Sequence, residues 1–168
     1  MIELNMNCSL TGVPYVTYDV LESYAEAIVA DFSMELLECP GIVNVEEFIE
    51  FYPYKNQYLA AKEGRIDYSR SQRERTDIES MERQADFLSS AILMPRPALR
   101  EAYRQFFRIY SDKPRRIIKG RSTTDDRYAS ILPEFVAELF GVSKRAALIR
   151  LEKLTAIVDG RTWRGTLC

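Results

Sequence analysis

Histidine is absent from all 168 residues. That removes the Ser–His and Cys–His pairs that activate a nucleophile, and the histidine-based ligand sets of catalytic zinc. Cysteine is scarce: Cys8, Cys39 and Cys168 are odd in number, far apart and never in a CxxC. They support neither a disulfide framework nor a cysteine-rich zinc site, and fit reduced intracellular thiols. No GxGxxG or GxxxxGK[ST] occurs, so phosphate-cradling loops are missing. No apolar run approaches the roughly 20 residues of a membrane helix. The opening MIELNMNCSLTGVPYV has no basic stretch followed by an apolar one, unlike a secretory signal. The expected setting is the cytoplasm, and no cofactor is expected.

What is present suits one globular domain, or one with a small appendage: 46% of residues are hydrophobic and 29% charged, with ten Tyr and eight Phe to fill a core. The net charge of −2 conceals an asymmetry. Residues 1–63 carry eleven acidic against two basic side chains, and the remainder carries fourteen against twenty-one. Either the two halves attract each other or the basic half meets a polyanion.

The pattern is mainly helical with a small β component. Thr17 can cap a helix whose Leu21, Tyr24, Ala25, Ile28, Phe32 and Leu36 form one apolar stripe, stopped by CPG at 39–41. Asn44 with Glu47 resembles a capping box for VEEFIEFY, which Pro53 ends. QYLAA (57–61) and RIDYS (65–69) read as two short strands or as loop. Helical spacing returns from Asp77 to Leu93, and Pro95 and Pro97 open another helix to about Tyr110. SDKP (111–114) is a turn signal, and KGRSTTDD (119–126) is polar loop or cap. Pro133 suits the first turn of a helix ending at Gly141, and Ser143 caps a second helix. That is a helix-turn-helix arrangement. Asp159-Gly160 between short β-prone runs predicts a hairpin wing over 156–163.

On the 77–95 helix, Glu79, Glu82 and Asp86 share a face. They could hold a divalent cation through oxygen, or form a solvated face on which Glu79 pairs with Arg83. The segment ERQADFLSSAILMP resembles the ImmA/IrrE metallopeptidase family, in which a helix reads Glu-x-x-Ala-Asn-x-Phe-Ala and ends in Leu-Met-Pro. Glu82, Ala85, Asp86 and Leu93-Met94-Pro95 fall on that pattern. FGVSKRAALIRLEKL (140–154) is similar to a later family segment. The resemblance implies that Glu82 stands where the family has its third zinc ligand. The other two ligands there are histidines of an HExxH helix, expected between VEEFIEFY and Glu82. Residues 53–78 contain no such motif. The implied protein is a truncated zincin-like helical region over 1–128, followed by a helix-turn-helix-like segment over 129–168 with a short β-hairpin.

Glu82 alone cannot replace about three protein ligands and an open water position, so a non-catalytic chain that acts by binding is the leading expectation. The family's association with repressors of phages and integrating elements implies a phage or mobile-element regulator, or an inhibitor of a host defence system. The expected partner is a protein or nucleoprotein. A repressor-cleaving zinc peptidase remains a further alternative.

Two basic stretches are the candidate contact surfaces. Arg96, Arg100, Arg104 and Arg108 repeat every four residues, and Lys113, Arg115, Arg116, Lys119 and Arg121 follow, with Tyr103, Phe106, Phe107 and Tyr110 interleaved. Such arginines suit phosphates or an acidic protein, or a face docked on the acidic half. In the second stretch, Lys144, Arg145, Arg150, Lys153, Arg161 and Arg164 would let residues 133–164 contact DNA as a transcriptional regulator. The opposing reading has the same segment packing within the peptidase fold.

Overall fold

The computed structural model describes residues 7–8, 14–51 and 72–161. Among these it contains seven helices and two small two-stranded sheets, so the chain is mainly α with a small β component. The possible strands at 57–61 and 65–69 lie outside the described residues. No described helix is long and apolar enough to cross a membrane.

Near the N-terminus, β1 (Asn7–Cys8) pairs antiparallel with β2 (Pro14–Tyr15). Helix α1 (Tyr18–Phe32) follows Thr17, as its spacing predicts, and buries Leu21, Ala25 and Ile28. It does not run on to CPG. Extended backbone at Ser33 breaks it, and α2 (Met34–Glu38) starts afresh. Asn44 caps α3 (Val45–Phe51) by accepting from the Glu46 and Glu47 amides at 3.2 and 3.4 Å. Helix α4 (Gln72–Leu93) lays Phe87 and Ala91 against Leu21 and Ala25 of α1, forming a small core of its own.

The larger core is built from the rest. Helix α5 (Arg96–Ile109) turns Ala98, Leu99, Ala102, Phe106 and Phe107 inward, a one-sided stripe that leaves its arginines outside. Helix α6 (Thr123–Phe140) adds Tyr128, Leu132, Val136 and Phe140, and α7 (Lys144–Lys153) adds Ala147 and Leu151. Phe106 and Phe107 stand edge-on to Tyr128, with both centroid distances 5.5 Å. Each such large apolar side chain contributes roughly 1.5–3 kcal/mol by leaving water.

One expectation fails in this region. Pro133 does not open a helix but sits buried within α6. The helix begins ten residues earlier because Ser122 Oγ accepts from the Asp125 amide at 3.1 Å, so the polar STTDD run is an N-cap and first turn. Proline lacks the N–H that position would donate, which costs α6 one internal bond. β4 (Ile157–Asp159), the first strand of the expected hairpin, pairs in parallel with β3 (Ile117–Lys119), forty residues upstream, and α6 and α7 form the crossover. Gly160 then crosses so close to β3 that a Cβ would lie 2.6 Å from the Lys119 carbonyl oxygen. Residues 162–163 of the expected wing lie outside the described residues. Between α6 and α7, Gly141 takes the left-handed conformation (φ 64°) and Ser143 Oγ accepts from the Ala146 amide at 3.1 Å, as the sequence predicts.

A buried ion pair joins the two cores. Arg150 of α7 reaches Glu22 of α1 with both terminal nitrogens, one of them at 2.9 Å, and donates twice to the Met94 carbonyl at 3.1 and 3.2 Å. Its guanidinium also lies 5.4 Å from the Phe87 ring centre. Neither charge is left in contact with water: Arg150 is 0% and Glu22 2% exposed.

Candidate functional site

The arginine repeat of α5 becomes one wall of a groove. Arg96, Leu99, Arg100, Tyr103 and Arg104 stand at i, i+3, i+4, i+7 and i+8, which is one helix face. Pro114, Arg115 and Arg116 of the following extended segment line it too, and Leu151, Leu154, Thr155 and Ala156 from the end of α7 complete it. The space is about 390 Å³, with five guanidinium groups around apolar side chains. That volume falls within the usual range for ligand sites, about 300–1,000 Å³.

The five arginines are not equivalent. Arg96 Nε meets Glu26 Oε1 of α1 at 2.8 Å, so part of the ridge does dock on the acidic half. Arg104 and Arg108 both approach Glu101, at 3.3 and 3.6 Å, on exposed surface where such pairs contribute little. Arg115 is held from behind by the buried Asp125 carboxylate, with Asp112 at 3.9 Å. The hydrogen bond to Asp125 raises the Arg115 pKa above its already high ordinary value, so the charge is permanent. The second Asp125 oxygen has no hydrogen-bond partner among the described residues. Arg116 Nε donates to the Thr155 carbonyl at 3.1 Å, which ties the outer wall to the end of α7. Arg100 is exposed and belongs to no salt bridge among the described residues. Tyr103 donates its hydroxyl to the Arg115 carbonyl, and burial pushes its pKa up to about 12, so the wall carries a neutral ring.

The other basic residues lie elsewhere. Arg108 is exposed beyond the groove. Lys119 pairs with Glu152 at 2.6 Å and, with Arg121 and Arg161, rims a second recess at the ends of β3 and β4. On α7, Lys144 bonds Glu134 at 2.9 Å and Arg145 is exposed. Arg150 is a correction: a guanidinium enclosed by Glu22, Met94 and Phe87 cannot reach a duplex. It stands three residues after Ala147 and next to Leu151, so it lies on the buried side of α7. Sequence reasoning singles out neither Glu22 nor Asp125, and does not place Leu99, Leu151 and Leu154 beside the arginines. Ser122-Thr-Thr-Asp-Asp held a local signal for Asp125, whereas nothing local marks Glu22 as the partner of a residue 128 positions away.

The peptidase-like helix presents a different picture. Glu79, Glu82 and Asp86 are all exposed. Arg83 does not pair with the Glu79 carboxylate but donates to the Glu79 backbone carbonyl at 3.0 Å. Among the described residues no three His, Cys, Asp or Glu side chains are grouped to hold a metal. Zinc of the peptidase kind requires about three protein ligands. An exposed Glu82 in a sequence without histidine does not fit that ion.

The architecture is thus a helical domain in which, among the described residues, Glu82 has no companion metal ligands. The family model for the IrrE N-terminal-like domain of the M78 peptidases matches residues 57–152, more than half of the chain. The chain belongs to that family. Comparison with curated proteins and with solved structures gives no match.

Proposed function

We propose that this chain is a non-catalytic IrrE/ImmA-like protein that acts by binding a protein or nucleoprotein partner through the arginine groove. The observation that carries this reading is the contrast between Glu82, exposed with no companion ligands among the described residues, and the five arginines gathered around apolar side chains. Guanidinium forks match carboxylates and phosphates, and the apolar lining adds area that a plain electrostatic patch lacks. On this reading the partner is a regulator of the repressor kind or a component of a host defence system, and the chain is a phage or mobile-element regulator.

The reading through residues 133–164 as a DNA-binding element is weaker. With Arg150 buried and Lys144 paired to Glu134, α7 offers Arg145 and Lys153 at its surface. Affinity capture from native host extract, with wild type beside R100E/R104E, tests the proposal. One protein is expected to be retained intact by wild type and lost from the variant. Cleavage of the captured protein, or capture indifferent to the substitutions, would contradict it. A duplex-binding assay in parallel is expected to show no steep loss of affinity with salt attributable to Arg145.

A further inference from the structure

We infer that the arginine groove also receives helix α3 of a second copy of this chain, so that the protein self-associates. This goes beyond the partner-binding reading and uses the same groove. Helix α3 is short and acidic, and two of its apolar residues face water: Val45 and Ile49 are 51% and 49% exposed. Glu46, Glu47 and Glu50 are exposed as well, and none enters a salt bridge among the described residues. An exposed surface of this kind combines unpaired carboxylates with uncovered aliphatic groups. The groove is its chemical complement, with arginines at the wall and Leu99 and Leu151 among the lining residues.

The spacing agrees as well as the charge. Glu46 and Glu50 are four residues apart, as are Arg100 and Arg104, and each pair is therefore separated by about 6 Å along its helix. Ile49 lies on the same face as Glu46 and Glu50, positioned to enter the apolar part of the groove between two carboxylate–guanidinium contacts. The chain's own α3 does not serve. It is pinned to the end of α1 by ring contacts of Phe32 with Phe48 and Phe51 at 5.2 and 5.4 Å, and none of its residues lines the groove. A reciprocal pair of such contacts about a two-fold axis closes as a dimer, and a non-reciprocal one continues as an open chain.

Sedimentation velocity across a concentration series, on the full chain alone, tests this. The weight-average mass is expected to rise from the monomer value of 19.5 kDa with concentration, and to fall back when salt shortens the screening length. E46R/E50R is expected to remain monomeric. E46R/E50R/R100E/R104E, which exchanges the signs on both surfaces, is expected to associate again. All four positions are exposed, and circular dichroism confirms that each variant folds. A wild type that stays monomeric throughout, association that survives E46R/E50R, or a folded four-fold variant that stays monomeric would each overturn the inference. Because E46R/E50R keeps every arginine, it also separates the two readings. Loss of self-association with partner capture intact fits both. Capture that fails while self-association persists removes the partner reading alone.

Discussion

The two basic stretches look alike as sequence and the fold uses them differently. Between 96 and 121 the arginines lie outside a stripe of Ala and Phe, and five of them surround an open groove. Between 144 and 161 the middle arginine is the most deeply enclosed charge in the described structure, tied to α1 and to the end of α4. The difference comes from what shares the helix face. Arg100 and Arg104 alternate with the buried positions of α5, whereas Arg150 takes the place of an apolar residue next to Leu151. An arginine at a buried position must carry its own counter-charge inside, because an ion without one is penalised by several kcal/mol. Glu22 supplies it.

The largest expected effect tests that contrast on its buried side. Arg150→Ala or Glu22→Ala removes one partner and leaves the other charge enclosed, which costs about 3–5 kcal/mol in chemical denaturation. A loss below about 1 kcal/mol would mean the pair is solvated and the two stretches are not distinct. At the other end, Arg100→Ala is expected to change stability by less than about 0.5 kcal/mol, as for an exposed side chain without partners, while capture of the partner weakens. A stability loss as large as that of Arg150→Ala would make Arg100 a structural residue.

An intermediate effect concerns the groove wall. The folded Tyr103 pKa is raised from 10.0 to about 12, mainly by burial. The neutral phenol is therefore favoured in the folded state. Its contribution is fully present below pH 10.0 and is lost as pH rises through about 12. Tyr103→Phe should flatten the fall in stability over that alkaline window, read by thermal melts at stepped pH. An unchanged slope would show that another group titrates there.

Much of the local structure was legible. Gly141 and Ser143 announced the turn between α6 and α7, and Asn44 announced α3, because caps and left-handed turns are decided within four residues. The four-residue arginine period also identified a real helix face. The errors share a cause. Pro133 reads locally as a helix start, yet Ser122 had already nucleated α6 upstream. Ile157–Asp159 reads as a strand, yet its partner Ile117–Lys119 is brought in by a crossover that no local pattern encodes. The groove follows the same rule. Its arginine wall could be read from spacing, but Leu151, Leu154 and Ala156 join it only through packing of α7 beside α5. Arg150 looked like a contact residue because its acid lies in a helix at the other end of the chain.

The proposal is that this IrrE-like domain acts through a binding surface rather than through a zinc-peptidase centre. Zinc content after saturation and exhaustive desalting, measured by mass spectrometry for wild type and Glu82→Ala, addresses it most directly. The expectation is well below one zinc per chain, with no difference between the two proteins. One tightly held zinc per wild-type chain, lost in Glu82→Ala, would contradict the account.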